Sequence, residues 1–183
     1  YFKHPFIVEN YAGAMGNIAA ARVAKTEPDG HTLLVVSTAF ASSTAVYPRL
    51  AYHPQRDFAP VARIGTLHHV LVVNSRLQVS TLPDFYKYLR ARPGLIAIAS
   101  AGTGSTSHLA AELMKMHGGW LNALHVPYRG NAHALADVLG DYVQAMFASV
   151  RSAHAHVKSG RLNALAVTGE KRIGALRHVP TFG

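Results

Sequence analysis

Short apolar runs alternate along this chain with longer stretches whose apolar residues recur at intervals of three and four. That is the pattern of an α/β protein with mainly parallel strands. Residues 6–9, 32–37, 61–64, 70–73, 95–99, 123–126, 143–147 and 162–167 read as strands. The runs 32–37 and 71–73 are apolar enough to be buried on both faces. Helices are expected over 17–25, 41–47, 132–139 and 153–158, bounded by Asn17, Pro48, Gly140 and Gly160. Another opens at Thr81, an N-cap followed by Pro83 in the first turn and Asp84 at the third position, and closes at Pro93-Gly94.

The most informative junction is the loop 100–107, Ser-Ala-Gly-Thr-Gly-Ser-Thr-Ser, between the strand 95–99 and a helix marked by Leu109, Leu113 and Met116. Gly102 and Gly104 permit a tight turn and close backbone approach, and Ser105, Thr106 and Ser107 are all good N-caps. Such a loop can aim unpaired backbone N–H groups at a carboxylate or a phosphate. A second junction, from Thr32 to Thr44, is also rich in hydroxyls. Two such loops on different lobes would face each other across a cleft. Serine and threonine are also selected by capping alone, so either loop by itself leaves both readings open.

Composition narrows the field. The 183 residues, 49% of them hydrophobic, hold one large domain or two small lobes. No apolar run approaches the roughly 20 residues that span a bilayer. The absence of cysteine excludes disulfides, thiol catalysis and cysteine metal sites, and is compatible with an oxidising compartment. Eighteen Lys and Arg against nine Asp and Glu give a formal charge of +9, a field that concentrates anions. The arginines are scattered singly rather than in blocks, which favours small anions over nucleic acid.

Other chemistry is weaker. Ser105 and His108 share a helix face, yet a catalytic serine needs a base held by a third group and an elbow such as GxSxG, and neither is present in the sequence. His68-His69 and the pair His154 and His156 match no recognised ligand set, so no metal or cofactor is expected. Phe85 and Leu89 make residues 85–92 an amphipathic helix, with Lys87, Arg90 and Arg92 as a solvated face. Gly13-Ala-Met-Gly-Asn17 reads as a glycine turn, since it is neither GxGxxG nor a P-loop.

Several blocks together resemble one family. They are Val8-Glu-Asn10 with Gly13-Ala-Met-Gly-Asn17, Pro28-Asp-Gly-His-Thr-Leu-Leu34, Tyr47-Pro-Arg-Leu50, Asp57-Phe-Ala-Pro-Val61 and Leu71-Val-Val-Asn74. Ser100-Ala-Gly102 with Ser107-His-Leu109, Val126-Pro-Tyr-Arg-Gly130, Ala164-Leu-Ala-Val-Thr168 and Val179-Pro-Thr181 follow in order. In order and spacing they are similar to the Bug, or TctC-type, periplasmic solute-binding proteins of tripartite tricarboxylate transporters.

The resemblance implies a two-lobed type II periplasmic-binding-protein (Venus flytrap) fold with mainly parallel sheets. It assigns residues 1–64 and 168–183 to a first lobe and 65–167 to a second, the strands near 58–65 and 163–169 joining them. It implies no catalysis, no cofactor and no nucleic acid. The expected ligand is a small organic carboxylate (a di- or tricarboxylate, an acidic amino acid or an aromatic carboxylate) delivered from the periplasm to membrane permease subunits. By position, the second lobe offers Ala101, Gly102, Thr103, Gly104, Ser105, Thr106 and Ser107, and the first lobe Thr38, Ala39 and Ser43. His108, Tyr128 and Arg129 would support the cleft. The chain departs from the pattern at Ser43-Thr44 and at Ala148-Ser149, the latter favouring ligands without an amine. The bare first strand and the end at 179–183 suggest a fragment with an incomplete first lobe, without a signal peptide of its own. The rival reading is a basic nucleic-acid or polyanion binder, and a third is a serine hydrolase built on Ser105 and His108.

Overall fold

The computed structural model describes residues 5–182. The expected lobe ends at 1 and 183, and the opening residues 1–4, lie outside these. The chain divides into two compact units, Tyr1–Ala62 and Arg63–Gly183.

The second unit is built on a five-stranded sheet in the order β3-β2-β4-β1-β5. Its strands are β1 (His69–Asn74), β2 (Ala97–Ser100), β3 (Leu124–Pro127), β4 (Ala145–Ser149) and β5 (Leu162–Val167). β2 runs parallel to β3 and β4, while β1 lies antiparallel between β4 and β5. The sheet is therefore mixed, with β1 alone reversed.

The apolar run 70–73 explains the layering. Successive strand residues point to opposite faces, and here both faces are covered. Val70 and Val72 join Ala134, Leu135 and Val138 of α5 (Asn131–Leu139) and Ala153 of α6 (Val150–Lys158) on one side. Leu71 and Val73 join Phe85 and Leu89 of α3 (Leu82–Ala91) and Ala111 and Met114 of α4 (Thr106–His117) on the other. Leu71 pairs with Ala166 and Val72 with Ala164, so Leu165 is the extra residue of a bulge on β5. Thr81 caps α3 as expected, its hydroxyl accepting from the Asp84 N–H at 3.2 Å.

The outer edge of β5 is closed by the end of the chain. Val167 donates its N–H to Pro180 and accepts from Phe182, and the Phe182 ring stacks on Phe147 with centroids 5.4 Å apart. Residues 168–182, expected with the first lobe, thus pack on the second unit.

The first unit contains α1 (Asn17–Val23) and α2 (Ala39–Val46) around a small aromatic core. Phe40 stacks on Tyr52 at 5.6 Å, and Phe58 meets both rings edge-on. The Tyr52 hydroxyl donates to Asn17 Oδ1 at 2.5 Å. Asn17 is the first residue of α1 rather than its cap, which is Gly16. The glycine turn before it is tight: φ is positive at Gly13, Ala14, Met15 and Gly16 in succession.

Three expected strands are not observed. Residues 6–9, 32–37 and 61–64 join no ladder, and Ile7, Val35 and Ile64 are largely exposed. An apolar run becomes a strand only where a neighbour completes its hydrogen bonds. Among the described residues of the first unit no strand is present to do so.

Asn74, at the end of β1, is buried and donates Nδ2–H to the Val138 carbonyl at 2.8 Å while Oδ1 accepts from the Arg76 N–H. We expect Asn74→Leu to destabilise the second unit by about 1–3 kcal/mol, because it removes a donor to the Val138 carbonyl and leaves the Arg76 N–H without its acceptor. Urea denaturation followed by circular dichroism checks it.

Candidate functional site

Because β2, β3 and β4 are parallel, the helices that follow them all start at the same edge of the sheet. Those helices are α4, α5 and α6, and none has an acidic residue in its first turn. Helix N-termini carry unpaired N–H groups and a partial positive charge. In open α/β sheets, ligands bind outside the carboxyl ends of the parallel strands.

The loop between β2 and α4 is the most developed part of this edge. Ser100, Ser105 and Ser107 are buried, and their hydroxyls are engaged inside the loop. Ser105 Oγ caps α4 by accepting from the His108 N–H at 3.2 Å and pairs with Ser107 Oγ at 2.9 Å. Ser107 Oγ accepts from the Ala101 N–H at 3.0 Å, and Ser100 Oγ from the Gly102 N–H at 3.1 Å. Gly102 and Gly104 adopt φ of 130° and 81°, conformations that disfavour a side chain. The serines are thus scaffold. Among the described residues, no acceptor is found for the backbone N–H groups of Thr103, Thr106 and Ser107, and Thr103 is exposed.

Histidines back the loop. His108 Nδ1 accepts from the Gly104 N–H at 3.1 Å, its ring stacks on His125 with centroids 3.9 Å apart, and His125 Nε2 lies 2.6 Å from Ser100 Oγ. Burial lowers the pKa of both; Glu112 opposes the shift at each and Lys115 adds to it, and at His125 the stacked His108 ring disfavours a second positive charge. His69, at the start of β1, places Nε2 3.2 Å from Thr106 Oγ1, and burial lowers its pKa too. In the sequence His69 stands out only within the His68-His69 pair, which matches no ligand set, and no local motif marks His125. The alternation in β3, which turns His125 inward beside Ser100, was the signal for the latter.

Tyr128 donates its N–H to the Ser100 carbonyl and its hydroxyl to Asp137 at 2.7 Å. Partial burial and the Asp137 carboxylate push its pKa up to about 12, so it stays neutral. Arg129 beside it is exposed. The α6 start adds a polar cluster: Ser149 caps the helix through the Ser152 N–H, and Asn131 donates Nδ2–H to Ser152 Oγ at 2.9 Å. The helix therefore begins at Val150, one turn before the expected start.

The first-lobe candidates sit in the other unit. Thr38 is exposed at the cap of α2 without a side-chain capping bond, and Ala39 is buried. Ser43 is buried, with Oγ donating to the Phe40 carbonyl at 2.7 Å and 3.3 Å from the Tyr52 hydroxyl, so its polar group is committed within that unit.

The hydrolase geometry is not formed: Ser105 Oγ is turned to Ser107 and the His108 N–H, while the His108 ring faces Gly104. Among the described residues, no group of three or more His, Asp or Glu is placed to hold a metal ion.

Backbone donors gathered at the carboxyl edge of an α/β sheet lie where such folds place their ligands. The chain belongs to the tripartite tricarboxylate transporter family receptor family, TctC, whose model matches residues 2–183. It is 39% identical over 176 residues, 96% of this chain and 52% of the relative, to the UPF0065 protein in the tcbD-tcbE intergenic region of Pseudomonas sp. strain P51. A protein from R. palustris solved with adipate is 34% identical, with a TM-score of 0.89 over 97% of this chain and 59% of that one. MatC from Rhodopseudomonas palustris, with bound malate, is 31% identical, with a TM-score of 0.82 over 97% of this chain and 60% of that one. Other solved neighbours are a periplasmic transporter and the periplasmic binding protein BugD. The chain spans about half the length of the curated relatives it matches.

Ser107→Ala removes both the acceptor for the Ala101 N–H and the partner of Ser105. We expect it to cost about 1–3 kcal/mol, the penalty for stranding a buried donor, measured as a fall in the denaturation midpoint at unchanged slope.

Proposed function

We propose that this chain forms the ligand-binding part of a periplasmic receptor that captures a small organic carboxylate for a tripartite tricarboxylate-type transporter. The observation that carries the reading is the set of unpaired N–H groups at Thr103, Thr106 and Ser107, held in a glycine-rich loop by buried serines. A carboxylate has acceptor lone pairs to match such donors, and a helix N-terminus stabilises its charge. Relatives solved with adipate and malate support the class. The donors recognise the carboxylate and not the rest of the molecule, so the ligand is proposed only as a small mono- to tricarboxylate.

In this reading the protein changes no bonds. Binding proceeds by replacing the hydration shell of the carboxylate with fixed backbone donors, at little cost because Ser100, Ser105 and Ser107 pre-set the loop. The absence of acidic residues from the first turns of α4, α5 and α6 leaves the field uniformly attractive to an anion. Permease subunits in the membrane are the proposed partners, and the periplasm the proposed location.

A nucleic-acid reading rests on the +9 charge alone. The two separate cleanly. Thermal unfolding with a panel of carboxylic acids should show an upward midpoint shift for at least one acid, rising with concentration as linkage requires. Oligonucleotides should give at most a weak shift that vanishes with added salt. No response to any acid, together with strong salt-sensitive stabilisation by DNA, would reverse the assignment.

A further inference from the structure

We propose that His108 is the positioning residue of the anion loop: its neutral imidazole, protonated on Nε2 alone, holds the loop in its binding shape, and protonating Nδ1 releases it. The proposal rests on the carboxylate reading for its consequence, but its geometry stands independently.

The tautomer follows from the hydrogen bonds. The Gly104 N–H points at His108 Nδ1 from 3.1 Å, so that nitrogen must carry a bare lone pair, and the ring proton belongs on Nε2. Nε2 then lies 3.7 Å from Glu112 Oε1. The neighbouring ring also touches the loop: Ser100 Oγ accepts from the Gly102 N–H and lies 2.6 Å from His125 Nε2, a contact that either His125 tautomer can make because the hydroxyl both donates and accepts. His108 faces a backbone N–H, which can only donate, so its loop contact fails on protonation. A proton on Nδ1 sets two donors against each other at Gly104, one residue from Thr103 and two from Thr106.

The charged surroundings oppose that proton. From β3, His125 stacks face to face on the ring at 3.9 Å between centroids, so two imidazolium cations would be pressed together. On α4 itself, Glu112 would favour the cation, but its carboxylate is taken by Lys115 at 2.6 Å. Ser100 of β2, by contrast, is uncharged. Burial, opposed by Glu112 and aided by Lys115, holds His108 below the ordinary imidazole value of 6.5.

The sign follows. Above that ordinary value the ring is neutral in every state and the loop is set. As pH falls below it, states in which the ring is released take up the proton more readily than the folded loop, so both loop order and ligand affinity decline. Apparent affinity scales with the neutral fraction of His108.

The test is NMR on the 183-residue chain. Long-range proton–nitrogen spectra report which ring nitrogen is protonated, and the Gly104 amide reports the loop. We expect the Nε2–H form of His108 near neutral pH, and a Gly104 amide shift with the same midpoint as the His108 ring. Adipate affinity, measured alongside, should fall by up to about tenfold from about pH 7.5 to about pH 5.5, as the neutral fraction does. H108N places Oδ1 where Nδ1 stood and does not titrate, so its Gly104 shift and its adipate affinity should lose the His108 component of the pH dependence. This comparison also removes the ligand's own protonation. H108F fills the ring volume without an acceptor, and should show a fast-exchanging Gly104 amide at neutral pH. A proton on Nδ1 at neutral pH, a Gly104 amide indifferent to the His108 titration, or an H108N profile identical to that of the unmodified chain would overturn the proposal. If adipate fails to bind at every pH, that failure bears on the ligand alone, and the tautomer and Gly104 data decide the role of His108.

Discussion

The second unit depends on burying both faces of β1 and its neighbour β4. Val70 to Val73 and the run from Ala145 to Ala148 are inaccessible, so each needs an apolar layer above and below. Fully burying a single side chain of that size is worth about 1.5–3 kcal/mol, and no arrangement with one open face recovers it. Covering both faces requires helices on both sides. Parallel strands joined through such helices require right-handed crossovers. The crossovers then bring the starts of α4, α5 and α6 to one edge. The concentration of backbone donors at that edge is therefore a consequence of how the core is buried.

The site adds restraint to this general outcome. A helix N-terminus alone is satisfied by water, and a flexible loop would lose entropy on meeting a ligand. Here three buried serines and His108 consume the internal donors Ala101, Gly102, Gly104 and His108 in sequence. What remains is a small set of N–H groups, at Thr103, Thr106 and Ser107, for which no acceptor is found among the described residues. The polar side chains that look most chemical in the sequence thus serve the backbone, and the backbone donors they leave unpaired are the ones proposed to meet the ligand.

How far the residues alone reveal this varies with the physics involved. β5 was legible to the residue, and β1, α3 and α5 nearly so, because their periodicity, caps and glycine stops agree. The tight, hydroxyl-rich turn of the loop 101–107 was legible from its glycines and serines. The division of labour within it was not, since Ser105 and Ser107 look alike in sequence and only burial shows both to be internal. The stacking of His108 on His125 depends on β3 pairing beside β2, a contact between distant positions that no local pattern encodes. Residues 6–9, 32–37 and 61–64 have strand composition but no ladder, because pairing is a property of the neighbour and not of the run.

The central claim is that backbone donors of the β2–α4 loop bind a carboxylate. Titrating adipate or malate into the nitrogen-15-labelled chain and mapping amide shifts tests it residue by residue. The account predicts saturable shifts concentrated on Thr103, Thr106 and Ser107. Saturable binding with those three amides unmoved, or no saturable shift with any carboxylate, would contradict it.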